Sequence, residues 1–209
     1  GKNISVTALD NGKYSFIMPG TAVTIEAELV PLRDIITFTD VPANAYYADA
    51  VNWAVLNGVT KGTSETTFSP DASCTRAQAV TFLWRAAGSP APKSSAMPFT
   101  DVDADAYYHD AVLWAVEQDI TNGTSDTTFS PNATCTRAQI VTFLWRSQVS
   151  PAAGAVNPFA DVADNAYYAE AVKWAVLEGV TSGTTATIFS PNDSCTRAQI
   201  VTFLYRCLG

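Results

Sequence analysis

Ser69–Arg85 reads SPDASCTRAQAVTFLWR; the same text returns at Ser130–Arg146 as SPNATCTRAQIVTFLWR and at Ser190–Arg206 as SPNDSCTRAQIVTFLYR. Each copy has the grammar of a helix start. Thr75 stands as N-cap, Gln78 three residues on completes a capping box, and an apolar run follows. Ala79, Val80, Phe82, Leu83 and Trp84 are apolar almost all round, so this second helix of each repeat is expected to be buried on most sides. No single copy could bury that surface alone, which puts three such helices at the centre of one domain. The arginine after each threonine is out of place, because a cation there opposes the helix dipole.

Working outward, the repeat is long. Phe38, Phe99 and Phe159 each open an F-x-D-V stretch, 61 and then 60 residues apart, and the same offsets relate Trp53, Trp114 and Trp174. Within the first copy, Tyr47, Ala50, Val51, Ala54 and Val55 follow the i, i+3, i+4, i+7, i+8 pattern of an amphipathic helix. Gly58 and Gly179 suit the position that ends such a helix, with Asp119 in their place in the middle copy. A loop of about fifteen residues, long for a connection, then leads to the second helix. The expected organisation is 1–33 as the C-terminal part of a β-repeat module, then repeats at 34–90, 91–151 and 152–209. In the first part, ISVTAL, KYSFIM and AVTIEAEL alternate or run apolar between DNG and PGT turns, which predicts a small antiparallel meander. A start in the middle of strand-like sequence suggests a piece of a longer protein.

Composition narrows the partners. The chain has 209 residues, 47% hydrophobic and 15% charged, with a formal charge of −8. Seven arginines and five lysines make no basic stripe, so nucleic acid is excluded as partner. No stretch approaches the roughly 18 apolar residues of a membrane span, so membrane insertion is not expected. Cys74, Cys135 and Cys195 fill one slot in three repeats, and Cys207 stands alone. Equivalent positions in rotated repeats are expected to lie too far apart for bridging, so the cysteines read as small buried hydrophobes. No metal is expected: Asp101, Asp103 and Asp105 suggest a calcium loop, but Ala106 and Val112 fall where glycine and glutamate are needed. His109, the sole histidine, has no cysteine cluster or nucleophile beside it.

The order F-x-D-V, aromatic-Ala helix, Gly-containing loop, F-x-P, then T-R-A-Q resembles the S-layer homology family over Phe38–Gly209. The resemblance implies a mainly α fold: three tandem helix-loop-helix repeats in a pseudo-threefold spindle around a central helical bundle, here preceded by the β meander. It implies non-covalent anchoring of an exported bacterial protein to the cell surface, through secondary cell-wall polysaccharide that often carries pyruvate carboxylates. Two departures stand out. The usual glutamate of the T-R-A-E motif is Gln78, Gln139 and Gln199, which keeps the cap and removes a charge. Tyrosines stand at Tyr47, Tyr108 and Tyr168 where many members carry tryptophan.

Candidate binding residues follow, each with a structural alternative. Arg76, Arg137 and Arg197 at the first helical position lie beside N–H groups that favour an anion, and a guanidinium grips carboxylates in a fork. They could equally pair with Asp40, Asp101 and Asp161, which repeat in step, and the resemblance tilts the choice toward ligand contact. Without such an internal partner, the arginine would add little to stability. Arg85, Arg146 and Arg206 suit the last helical turn by charge alone. Tyr46 and Tyr47, with their copies, and Trp53, Trp114 and Trp174 could offer faces for sugar stacking; Tyr47, Tyr108 and Tyr168 are assigned inside, and the tryptophans, off the main apolar stripe, are the better platform candidates. Gly62, Thr63, Gly123, Thr124, Gly183 and Thr184 could offer loop hydrogen bonds to sugar, or only turn chemistry. A site repeated three times suits acid–base catalysis poorly, since that needs two unlike carboxylates. A wall-polysaccharide anchor without cofactor is the resulting reading. The alternative is a protein–protein module for surface-layer assembly or capture of another surface protein.

Overall fold

The computed structural model describes residues 7–9, 13–15, 20, 38–154 and 156–209. Two compact units divide the chain, Gly1–Val30 and Pro31–Gly209. In the first, β1 (Thr7–Leu9) pairs antiparallel with β2 (Lys13–Ser15), Thr7 opposite Ser15 and Leu9 opposite Lys13. The third strand expected for the meander, at AVTIEAEL, lies outside the described residues.

The second unit is helical: α1 (Ala48–Leu56), α2 (Arg76–Ala86), α3 (His109–Glu117), α4 (Arg137–Ser147), α5 (Ala169–Leu177) and α6 (Arg197–Leu208). The short odd-numbered helices end where the chain turns left-handed, at Gly58 (φ 68°), Asp119 (φ 55°) and Gly179 (φ 69°). The even-numbered helices begin with complete capping boxes. Thr75 Oγ1 accepts from Gln78 N at 3.2 Å and Gln78 Oε1 accepts from Thr75 N at 3.0 Å, with the same pair at Thr136/Gln139 and Thr196/Gln199.

Packing crosses repeat boundaries. α2, α4 and α6 pack on one another, and each odd-numbered helix lies on an even-numbered helix of a different repeat: α1 on α6, α3 on α2, α5 on α4. A ring of backbone hydrogen bonds ties the three together. Cys74 N donates to Cys195 O (3.1 Å), Cys195 N to Cys135 O (2.9 Å) and Cys135 N to Cys74 O (2.9 Å). Fully buried Phe68, Phe129 and Phe189 fill the space under the long loops, each against the Phe38, Phe99 or Phe159 ring of its own repeat at 5.6–5.8 Å.

The cysteines are free, and Cys74, Cys135 and Cys195 are buried. The expected reason was distance, and that is corrected: the three meet in one hydrogen-bonded ring. Burial pushes the Cys74 and Cys135 thiols up to about 12.

Candidate functional site

Each repeated arginine leaves its own repeat. Arg76 Nε donates to Phe129 O at 2.9 Å, Arg137 Nε to Phe189 O at 2.8 Å and Arg197 Nε to Phe68 O at 2.8 Å. Each guanidinium also lies over two phenylalanine rings; for Arg137 these are Phe189 at 4.9 Å and Phe203 at 5.5 Å. The misplaced charge is thereby explained: the side chain turns from the positive helix end toward a carbonyl dipole and two π faces. Burial pulls all three guanidiniums below the usual arginine range, and neighbouring groups such as Cys135 for Arg76 and Cys195 for Arg137 offset part of that.

Three expectations need correcting. The helix N-termini offer no open N–H groups to an anion, because Arg76 N and Ala77 N donate to Ala133 O and Pro131 O of the next repeat. The copies do the same: Arg137 and Ala138 reach Asp193 and Pro191, while Arg197 and Ala198 reach Ala72 and Pro70. Among the described residues no ion pair joins the arginines to Asp40, Asp101 or Asp161. Asp40 accepts from Phe68 N (2.8 Å) and Ser69 N (2.7 Å), and Asp101 and Asp161 repeat this at Phe129/Ser130 and Phe189/Ser190. Carboxylate and guanidinium therefore hold the amide and the carbonyl of one phenylalanine from two sides. The serine so held has φ 58° in all three repeats, a conformation costly for a residue with a Cβ. Finally, Trp114 and Trp174 are buried in the core and have no face open to a sugar, while half-buried Trp53 packs on Tyr205 at 5.8 Å. The open aromatics are Tyr46, Tyr107 and Tyr167, each 61–65% exposed and set edge-on against half-buried Tyr47, Tyr108 or Tyr168.

The groove at Arg137 brings several candidates together. A cavity of about 350 Å³ is bordered by Tyr46 from the first repeat, Arg137 from the second, and Gly183, Thr184, Gln199 and Arg206 from the third. Tyr46 is among the aromatics that could stack on a sugar, ranked in the sequence below the tryptophans, whereas Arg206 is accounted for there by the helix dipole. Gly183 has no room for a side chain, since a Cβ would meet the Phe159 ring and the Thr185 and Ile188 carbonyls. Thr184 Oγ1 bonds Ser190 Oγ at 2.9 Å, as Thr63 does Ser69 and Thr124 does Ser130. These loop residues brace the groove wall.

The arginines differ at one atom. Nη2 of Arg76 and of Arg137 is buried without a partner. Nη2 of Arg197 donates to Lys61 O at 3.1 Å and lies 3.4 Å from Thr60 Oγ1. A buried guanidinium N–H left unpaired is costly, and the first two repeats carry that cost where the third does not.

A helical domain built from three interlocked helix-loop-helix repeats, with grooves between them, defines a repeat-built binding module. Residues 37–80, 98–141 and 158–201 match the S-layer homology domain, and the chain belongs to that family. It is 30% identical over 204 residues to the surface-layer 125 kDa protein of Lysinibacillus sphaericus, covering 95% of this chain and 17% of that protein. It is 26% identical to the S-layer protein of Bacillus thuringiensis subsp. finitimus, over 80% of this chain and 21% of the relative. An endoglucanase of Bacillus sp. (strain KSM-635) is 35% identical over 54% of this chain, a stretch that makes up 12% of the enzyme. The chain thus spans less than a quarter of these relatives. Family and relatives make it a domain of the bacterial cell surface. Among the described residues no helix is long and apolar enough to cross a membrane.

Proposed function

We propose that this domain anchors an exported protein to the bacterial wall by binding a carboxylate-bearing secondary cell-wall polysaccharide, its repeats forming a pseudo-threefold spindle with grooves between them. The observation that carries this reading is the unpartnered, buried Nη2 of Arg76 and Arg137. A carboxylate or ketal oxygen of the glycan supplies the missing acceptor, and the charge-assisted contact strengthens in the desolvated groove. Tyr46 offers the open ring against which a sugar face can pack, and Gln199 with the Thr184 loop supplies neutral hydrogen-bonding groups to its hydroxyls. No step of acid–base chemistry enters this reading.

The test is sedimentation of the domain with purified wall sacculi, before and after chemical extraction of the non-peptidoglycan polymer. Saturable binding that vanishes with the polymer supports the anchor. Binding that persists after extraction, or that needs a second surface protein, replaces it with a protein-capture module.

A further inference from the structure

Arg206 also borders a second, larger cavity. This space, about 540 Å³, is bounded by Pro158, Val176, Gly179 and Ala186, and it shares Arg206, Thr181 and Ser182 with the Arg137 groove. Arg206 Nη1 donates to Val180 O at 3.2 Å, and among the described residues no carboxylate pairs with it. The equivalent arginines differ. Arg85 and Arg146 make the same bond to Val59 O and Ile120 O, yet they are half-buried whereas Arg206 is exposed. The loops of the three repeats differ as well. Where the first repeat has Lys61 and Glu65 and the second Asn122 and Asp126, the third has Ser182 and Ala186. Ser182 and Ala186 both line this cavity, and Ala186 stands where the first two repeats carry an acid.

We propose that the Arg137 groove continues over Arg206 into this cavity, so that the third repeat's face holds at least two consecutive sugar residues of the polymer. The anionic residue sits at Arg137, and its glycosidic neighbour lies across Arg206, its apolar face toward Pro158 and Val176. This rests on the polysaccharide reading above and adds a length requirement to it. Both cavities are of a size that admits a pyranose ring, and Arg206 is the cationic donor common to the two.

The probe is wall polysaccharide from an S-layer-bearing bacterium, partly hydrolysed and separated into one-, two- and three-residue fragments. Calorimetric titration of the whole domain is compared with Ala186→Glu, which restores the acid found at Glu65, and with Arg206→Ala. Ala186 is exposed on the loop, so a matching thermal melt checks that the fold is kept. The expected result is that two-residue fragments bind the unaltered domain about tenfold more tightly than one-residue fragments, the worth of one further charge-assisted contact. Ala186→Glu should keep the one-residue affinity and abolish the gain, and Arg206→Ala should abolish the gain as well. Equal affinity for one- and two-residue fragments, or a gain that survives Ala186→Glu, overturns the extended site and leaves the anchor intact. Failure of every fragment to bind the unaltered domain overturns both.

Discussion

Arg137 and Arg197 are the same letter of the same motif, and both reach a phenylalanine carbonyl at 2.8 Å in the adjoining repeat. Their surroundings nevertheless part at one peptide. Facing Arg137, Gly183 holds φ 85° and its N–H donates to Thr181 Oγ1 at 3.2 Å; Gly123 and Thr121 repeat this arrangement in front of Arg76. Facing Arg197, Gly62 is absent from the left-handed region and Thr60 Oγ1 bonds Lys61 O at 3.0 Å. The Lys61–Gly62 peptide is turned so that its carbonyl meets the guanidinium. One groove is thus closed by the chain's own acceptor while its counterparts keep an unsatisfied donor. Motif identity sets where the guanidinium goes, and the turn of one peptide decides whether its Nη2 has a partner.

The largest effect should separate these two arginines. Arg137→Ala is expected to weaken binding of wall-polysaccharide fragments at its groove by about one to two orders of magnitude, the worth of a charge-assisted contact. Arg197→Ala should leave fragment affinity nearly unchanged but lower the unfolding free energy by about 2–4 kcal/mol, since it strands Phe68 O, removes one of the two donors to Lys61 O and empties a buried site. Arg137→Ala, with its one carbonyl bond, should cost about 1–2 kcal/mol. Calorimetry and urea unfolding on the two variants read both quantities. Equal losses of affinity would break the comparison.

Smaller effects sharpen it. Asp40→Ala and Asp161→Ala each free two buried-turn N–H groups bonded at 2.7–2.8 Å, so both should destabilise by about 2 kcal/mol, alike in the closed and the open groove. A marked difference between them would place the asymmetry in the phenylalanine turn and not in the Lys61–Gly62 peptide. Gly62→Ala and Gly183→Ala both drive a Cβ into loop carbonyls and a phenylalanine ring. Gly183→Ala should cost about 1 kcal/mol more, because only there must the new residue hold a left-handed φ. Chemical denaturation of the pair checks this.

What could be read in the sequence was local. Thr75 and Gln78 are three residues apart on one turn, so the capping box follows from spacing alone, and the repeat period follows from Phe38, Phe99 and Phe159. The partner of Arg76 could not be read that way. Phe129 O lies 53 residues on, and its availability depends on α3 crossing to pack on α2. Trp174 looked open because it falls off the stripe of its own helix, but α5 lies against α4, and the second contact buries the ring. The turn at Lys61–Gly62 is invisible for a third reason: K-G, N-G and S-G all permit either peptide orientation, and glycine supplies no preference. The candidates Gly183, Thr184, Gln199 and Arg137 follow from motif position and Tyr46 from its aromatic ring, whereas the exposure of Tyr46 over the tryptophans and the place of Arg206 in the groove needed the three-dimensional convergence of separate repeats.

The smallest expected effect lies in the buried thiols of the three cysteines whose backbones form the central ring. Burial raises Cys74 to about 12 from an ordinary 9.0, with the nearby Arg197 guanidinium pulling the other way, and it raises Cys195, next to Arg137, well above the ordinary value. The sign follows from linkage. Below pH about 9 folded and unfolded chains both hold the thiol protons; above it the unfolded chain releases them first, so the unfolded state gains. Stability contributed by the protonated thiols is therefore complete below pH about 9 and drains away as pH rises toward about 12, with a slope approaching about 1.4 kcal/mol per pH unit for each thiol that titrates this way. Tyrosines titrate in the same range, so the informative quantity is the difference between the unaltered domain and Cys74→Ala or Cys195→Ala. Each variant should cost about 1 kcal/mol near neutral pH, and that cost should shrink between pH 9 and pH 11 in urea unfolding. A carboxylate fragment bound at Arg137 offsets that cation's field on Cys195 and should slightly steepen the Cys195 difference, leaving the Cys74 difference unmoved because the groove at Arg197 is closed. A ligand-induced change of equal size at both cysteines would mean that Arg197 takes the ligand too, and that its bond to Lys61 O opens on binding.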